Sequence, residues 1–177
     1  MVNELKQFDI PFVGLKEGVY HFQFDIAPSF FKHFDEQEFE KGNFHADLRF
    51  DKQQHHFKLS FEISGMMRVP CDRCNEDFDL EIDGDYEVYV KYTDHPDKLG
   101  GVEEENEDLI YISPSDNLIN VAQLIFEYIE LSVPMKKTHP ENGCNPEVLK
   151  LLDDYILKEQ EKTPDHDPRW DKLKDLE

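Results

Sequence analysis

Apolar and polar residues alternate along much of the first half of the chain, beginning at Val19. Successive side chains of a strand point to opposite faces, so this alternation is typical of a strand with one buried face. We therefore predict a half-buried strand from Val19 to Ile26. Its apolar positions are Tyr20, Phe22, Phe24 and Ile26, and its polar positions are His21, Gln23 and Asp25.

The same period of two recurs in the next two segments, which are separated by a polar run from Asp51 to His56. Two alternating segments joined by a short polar run are typical of a β-hairpin. We predict that these segments pair antiparallel. Their apolar positions are Phe44, Ala46, Leu48 and Phe50, then Phe57, Leu59, Phe61 and Ile63.

Alternation resumes after residue 77 and predicts one long strand with a bulge or bend at Gly84. A shorter apolar run from Leu109 to Ile112 predicts a further strand, which Pro114 ends. The apolar positions of the long strand are Phe78, Leu80, Ile82, Tyr86, Val88, Val90 and Tyr92.

Helical spacing replaces the period of two in the last third of the chain. One helix is predicted to end before Pro134, and a second to begin at Asn145-Pro146-Glu147, where asparagine can cap the first turn. The apolar positions are Val121, Leu124, Ile125, Tyr128 and Ile129 in the first, and Val148, Leu152, Tyr155 and Ile156 in the second.

Strands followed by helices predict an α+β fold. We expect a mainly antiparallel sheet of about six to seven strands, either open or partly closed into a barrel, with the C-terminal helices packed on it.

The 177 residues, 38% of them hydrophobic, suffice for one packed core, so we predict a single domain over residues 1–162. Residues 95–108 contain almost no apolar side chains and predict an acidic loop. Residues 163–177 predict a tail with a short helix, since Trp170, Leu173 and Leu176 follow the breaker Thr163-Pro164.

The formal net charge of −21 changes the expected partners. It repels phosphate backbones and attracts basic proteins, so a basic protein is favoured over broad nucleic-acid binding. No apolar stretch approaches the roughly 20 residues that cross a bilayer, and the charged segment Met1 to Ile10 is unlike a signal peptide. These features predict a cytoplasmic protein without a membrane partner.

Three cysteines and one histidine form a candidate metal site. Cys71-Asp72-Arg73-Cys74, here called the knuckle, lies in a tight reversal between two predicted strands, and Cys144 follows His139 by five positions. A C-x-x-C pair with a later His and Cys supplies the four ligands of a tetrahedral zinc site. Two alternatives remain: buried free thiols, or a redox-active Cys71–Cys74 pair.

Basic residues lie beside these ligands in the sequence. Lys136 and Lys137, together with Arg68 and Arg73, are candidate contacts to a partner protein or to RNA, and Trp170 is a candidate aromatic anchor. The alternative for the lysines is that they offset the charge of thiolates or of a helix C-terminus.

Sequence motifs of enzymes are lacking. There is no nucleophile elbow, P-loop or H-E-x-x-H spacing, and histidines beside carboxylates are expected by composition in so acidic a chain. We therefore expect no enzymatic activity.

Four segments, in this order, resemble the YceD family, the large ribosomal RNA subunit accumulation proteins of bacteria and plastids. The resemblance implies a role in accumulation of large-subunit rRNA, and so in assembly of the large ribosomal subunit, without enzymatic activity. Some members carry more cysteines in the later segment, where this chain has only Cys144, with His139 as the substitute ligand. The segments are Arg68-Val69-Pro70-Cys71-Asp72-Arg73-Cys74, Leu131-Ser132-Val133-Pro134-Met135, His139-Pro140-Glu141-Asn142-Gly143-Cys144 and Asp167-Pro168-Arg169-Trp170-Asp171-Lys172-Leu173.

The resulting hypothesis is a non-enzymatic accessory factor for the large subunit that binds a basic ribosomal protein or large-subunit rRNA. The alternative is a zinc- or thiol-dependent regulatory interaction protein unrelated to ribosomes.

Overall fold

A computed structural model describes residues 5–34, 42–95, 109–140 and 143–162, with side chains of the last helix described as far as residue 156. It divides into two compact units. The sheet unit comprises Met1–Val69 and Asp79–Met135, and the knuckle unit comprises Pro70–Phe78 and Lys136–Glu177. The single domain over residues 1–162 stays a prediction. The predicted tail, and the predicted acidic loop beyond His95, lie outside the described residues.

The described elements confirm the α+β class, and their order is strands first and long helices last. In chain order they are a 3-10 helix Leu5–Phe8, β1 Asp9–Pro11, β2 Gly18–Ile26, α1 Pro28–Phe31, β3 Gly42–Lys52, β4 His56–Pro70, β5 Asp77–Tyr92, β6 Leu109–Ile112, β7 Leu118–Asn120, α2 Ala122–Ser132 and α3 Pro146–Lys162.

Five strands form the main sheet in the order β2-β3-β4-β5-β6. The predicted hairpin is confirmed, because β3 and β4 pair antiparallel with Phe50 opposite Leu59. Strand β2 also pairs antiparallel with β3. Strand β6 pairs parallel with β5, from Tyr89 opposite Leu109. The sheet is therefore mainly antiparallel and open, not closed into a barrel.

A second sheet consists of the short strands β1 and β7, which pair antiparallel. Neither strand was predicted from the sequence, since three residues are too few to show a period of two. Asn120 ties them to the N-terminal segment, because its Nδ2 donates to the Leu5 carbonyl at 3.0 Å and to Asp9 Oδ1 at 2.6 Å.

Phenylalanines dominate the core of the sheet unit. The alternation predicted the buried face correctly: Phe44, Ala46, Leu48 and Phe50 are at most 4% exposed. Burial of large apolar side chains is the main favourable contribution to folding. The largest fully buried aromatic residues are Phe8, Phe12, Phe31, Phe50, Phe57 and Phe61.

Helix α2 packs against this sheet, as its apolar spacing predicted. Ile125 and Ile129 are fully buried. The ring of Tyr128 stacks on that of Tyr86 with centroids 4.4 Å apart. Within the described residues, no helix combines the length and apolar character needed to cross a membrane.

Strand β5 runs through Gly84 as one long strand. A Cβ at residue 84 would collide with Ser132 Oγ and with the ring of Tyr86. The Tyr86 hydroxyl and Ser132 Oγ hydrogen-bond each other at 2.8 Å, and Ser132 Oγ also donates to the Tyr128 carbonyl at 2.7 Å. Glycine at this position thus allows the end of α2 to approach the sheet closely.

We predict that Gly65→Ala destabilises the sheet unit by about 1–3 kcal/mol, a cost typical of forcing atoms into a packed core. A Cβ at residue 65 would lie 2.5 Å from the Asn43 carbonyl oxygen and 2.8 Å from the Phe44 Cα, and the backbone of β3 has little room to shift. Urea unfolding measures the effect.

Gly14→Ala is the matched control, because nothing lies within 4 Å of a Cβ at residue 14. Its free energy of unfolding should stay within about 0.5 kcal/mol of the original. Equal stability of the two variants would contradict the close packing described for β3 and β4.

Candidate metal centre

The knuckle forms a tight hydrogen-bonded reversal between β4 and β5. The Cys71 N–H donates to the Glu76 carbonyl at 3.0 Å, and the Asn75 N–H donates to the Cys71 carbonyl at 2.8 Å. Asn75 has a φ of 59°, in the left-handed region that asparagine tolerates better than most residues. The reversal brings Cys71 and Cys74 to the same side of one loop.

Asn145 positions the second cysteine segment. It directly follows Cys144, and its Oδ1 accepts a hydrogen bond from the Glu147 N–H at 2.9 Å, which confirms the predicted N-cap of α3. Its Nδ2 donates to Glu76 Oε1 at 2.7 Å. One side chain thus fixes the start of a helix and links it to the knuckle.

Asp72 makes a second link between the two segments. Its N–H donates to the Lys137 carbonyl at 2.7 Å, and its Oδ2 accepts from the Lys137 N–H at 2.6 Å. Beside this pair of bonds, the rings of Phe78 and His139 lie 4.6 Å apart. These contacts hold His139 next to the knuckle.

The four candidate ligand residues come together. One donor atom from each of Cys71, Cys74, His139 and Cys144 lies within 4.8 Å of every other, so the group could hold a metal ion. Sγ of Cys71 and Sγ of Cys144 are 3.8 Å apart. Nδ1 of His139 lies 3.4 Å from Cys74 Sγ and 3.8 Å from Cys144 Sγ.

These separations fit tetrahedral coordination. Sulfur and nitrogen ligands of zinc, at their usual bond lengths and tetrahedral angles, lie about 3.6–3.8 Å from one another. The Cys71–Cys144, Cys74–His139 and Cys144–His139 separations fall at or near this range, and every other pair of donor atoms lies within 4.8 Å. Cysteine and histidine are also the ligand types that zinc prefers.

Three of the four buried side chains in the described part of the knuckle unit are cysteines. Cys71, Cys74 and Cys144 are 2%, 5% and 8% exposed, and among the described residues of this unit only Phe78 is as buried. Helix α3, in contrast, leaves Leu151, Leu152, Tyr155 and Ile156 exposed. The described part of the unit therefore has very little apolar core, a situation in which small proteins commonly use a metal or disulfides.

The pKa values of the Cys71 and Cys144 thiols are shifted in opposite directions. Burial alone would raise the pKa of Cys71, but hydrogen bonds to its sulfur from the backbone N–H groups of His139, Cys74 and Arg73 outweigh burial and lower the pKa to about 5. The Arg73 N–H lies 3.4 Å from this sulfur. Burial raises the pKa of Cys144, and the side chains of Cys71 and Cys74 raise it further. A divalent cation would replace the proton on Cys144 and neutralise the gathered thiolates.

The candidate partner contacts are only partly near this centre. Arg73 and Lys136 are exposed residues of the knuckle unit, and Lys137 is half-buried with its backbone bonded to Asp72. Arg68 belongs to the sheet unit, where its Nη1 lies 3.0 Å from Asp79 Oδ1. Trp170 lies outside the described residues.

The supporting roles of Asp72 and Glu76 were not predicted from the sequence. Each bonds to a residue more than sixty positions away, to Lys137 and Asn145. No periodicity or motif signals such a pairing, because the partner becomes a neighbour only after the chain has folded. The sequence signal for Asn145 was its position before Pro146 at the start of a helix.

One known family matches most of the chain. No curated protein and no solved structure matches the chain. Residues 59–177 match the family model described as large ribosomal RNA subunit accumulation protein YceD. The matched region contains the knuckle, all four candidate ligands and the C-terminal residues, and it spans more than half of the chain. The chain therefore belongs to the YceD family.

Proposed function

We propose that the protein is a non-enzymatic accessory factor in biogenesis of the large ribosomal subunit, which supports accumulation of large-subunit rRNA by binding a ribosomal protein or the rRNA itself. The observation that carries the proposal is the family match over residues 59–177, since the family is described by this rRNA accumulation.

The charge distribution favours a basic protein as the first contact. The outward face of β5 presents five exposed carboxylates at every second residue. In the described part of the chain, Asp79 pairs with Arg68 and Glu87 with Lys58, while the three carboxylates between them have no such pair. A field of one sign attracts an oppositely charged partner and speeds its association. The five residues are Asp79, Glu81, Asp83, Asp85 and Glu87.

Zinc is the ion we propose for the cysteine cluster. Three thiols and one imidazole occupy all four positions of a tetrahedron, which is the arrangement of a structural site, whereas catalytic zinc keeps one position open for water. Bound zinc would cross-link the knuckle unit, whose described part has only a small apolar core. It would also fix Arg73 and Lys136, both exposed, as a basic contact for a partner.

One observation favours a regulatory alternative, the lowered pKa of Cys71, because a thiolate is the form that reacts with oxidants. In that case an oxidant such as peroxide would join Cys71 and Cys74 in a disulfide, and the disulfide would alter an interaction surface. Thiol titration after mild peroxide separates the two functions, since reversible loss of two thiols from the purified protein supports the regulatory one.

Purified without added metal, the protein should carry about one zinc per chain, and Cys71→Ser should lose most of it, because three ligands hold zinc far more weakly than four. Elemental analysis after dialysis measures the zinc. His139→Ala should lose zinc as well, while His55→Ala, which alters an exposed histidine outside the cluster, is the matched control and should keep it.

Cobalt substitution provides a second readout that does not depend on how much zinc survives purification. Tetrahedral thiolate coordination gives the cobalt protein strong absorption bands, and these should weaken in Cys71→Ser. A folded protein with far less than one zinc, whose three thiols all titrate freely, would contradict the site.

Deletion of the gene should lower large-subunit rRNA and leave an excess of free small subunits under slow growth, since unassembled rRNA is degraded. Quantitative RNA measurement and sucrose-gradient profiles test this. Expression of the original protein should restore both, whereas the double variant Arg73→Glu, Lys136→Glu should restore them poorly.

Lys91→Glu is the control for the charge change, because Lys91 is an exposed lysine on β5, in the sheet unit. It should restore rRNA as well as the original protein does. Normal rRNA levels and normal subunit profiles in the deletion strain would overturn the proposed function.

A further inference from the structure

A groove of about 850 Å³ lies between α2 and the end of the main sheet, entirely within the sheet unit. Its volume is in the range of about 300–1,000 Å³ that is typical of binding pockets. Apolar side chains of β5, β6, β7 and α2 line most of it. Two of them are exposed although they are large and apolar: Leu131 at 69% and Leu118 at 47%.

The groove runs along an edge of the sheet. Strand β6 is the last strand, and within the described residues no further strand pairs with it. Among the described residues, the parallel pairing of β5 with β6 begins at Tyr89, and the stretch of β5 from Asp85 to Val88, which also lines the groove, precedes it. Unpaired N–H and C=O groups at a sheet edge can accept an added strand.

The charged residues of the groove are all acidic. Asp85, Glu87 and Glu127 line it, and no lysine or arginine does. Glu87 Oε1 forms an ion pair with Lys58 Nζ at 2.7 Å, and Glu127 Oε1 accepts a hydrogen bond from Gln123 Nε2 at 2.7 Å. Asp85 is exposed and has no such partner among the described residues. These carboxylates disfavour a phosphate-bearing ligand and favour a cationic one.

We propose that this groove binds an extended basic segment of another protein, which adds a strand to the β5–β6 edge. Main-chain hydrogen bonds to the edge would hold the segment, and its alternate side chains would point in opposite directions. Apolar side chains would contact Leu124, Leu131 and the sheet, and lysine or arginine side chains would contact the acidic rim. The site uses none of the residues of the cysteine cluster and does not depend on zinc. It shares Asp85 and Glu87 with the β5 carboxylates to which the proposed function assigns a basic protein, but peptide binding is measured without ribosomes, so either proposal can fail alone.

The test uses the purified full-length protein and fluorescein-labelled peptides of about eight residues, a usual strand length. Lysine alternates with valine, leucine or phenylalanine in the three test peptides, and glutamate replaces lysine in the control peptides. Fluorescence anisotropy should show saturable binding of at least one lysine peptide and not of its glutamate counterpart. Added salt should weaken this binding.

Two variants locate the binding site. Leu131→Lys removes an exposed apolar side chain of the groove and adds a repelling charge, and should weaken binding about tenfold, as loss of an interface anchor does. Met66→Lys is the matched control, since Met66 is 59% exposed, belongs to the sheet unit and does not line the groove. It should change binding by less than about twofold. Thermal unfolding shows whether both variants keep their fold.

Hydrogen exchange tests strand addition directly, since amides of Leu109–Ile112 should exchange more slowly when the peptide is bound. Several results would overturn the proposal. They are equal binding of glutamate peptides, no saturable binding of any lysine peptide, unchanged exchange in β6, or equal effects of Leu131→Lys and Met66→Lys. A dimer of the protein that Leu131→Lys dissociates would show that a second copy fills the groove, which would also overturn it.

Discussion

The convergence of four donor atoms from two distant segments is the constraint on which the knuckle unit depends, since all four lie within 4.8 Å of one another. Cys74 and His139 are 65 positions apart, yet Cys74 Sγ lies 3.4 Å from His139 Nδ1. Hydrogen bonds from Asp72 to Lys137 and from Asn145 to Glu76 bring the segments together. A cation among these donors would offset the repulsion between thiolates that the same convergence brings together.

The two units depend on different forces. The sheet unit buries a set of large aromatic side chains, and its stability follows from apolar area removed from water. The described part of the knuckle unit buries little beyond three cysteines and Phe78. Removal of the proposed zinc is therefore expected to affect the knuckle unit far more than the packing of the sheet, because the sheet unit contains none of the four candidate ligands.

Surface charge is unevenly distributed in a protein whose formal net charge is −21. Exposed carboxylates follow one another along β5, whereas exposed Arg73 and Lys136 belong to the knuckle unit. Each set of charges favours contact with groups of the opposite sign, since like charges in contact are costly. The acidic groove beside β6 adds apolar side chains to this preference, together with a strand edge that pairs with no further strand among the described residues.

Local patterns were sufficient to predict the longer elements and their buried faces. The period of two located β2, β3, β4 and β5, and the hydrophobic spacing together with Asn145-Pro146 located the two long helices. These predictions succeeded because each buried face needs an apolar residue at every position that points inward. The short strands β1 and β7 left no such pattern, since three residues cannot display a period.

The sequence by itself determined the ligand types, the strand faces and the strongly negative charge, all of which are properties of residue identity and local spacing. Only the tertiary structure decided that β6 lies parallel to β5, that Gly84 accommodates the end of α2, and that His139 and Cys144 meet the knuckle. Each of these depends on contacts between residues far apart in the chain. Such contacts are selected by packing of the whole fold, and no local pattern of residues encodes them.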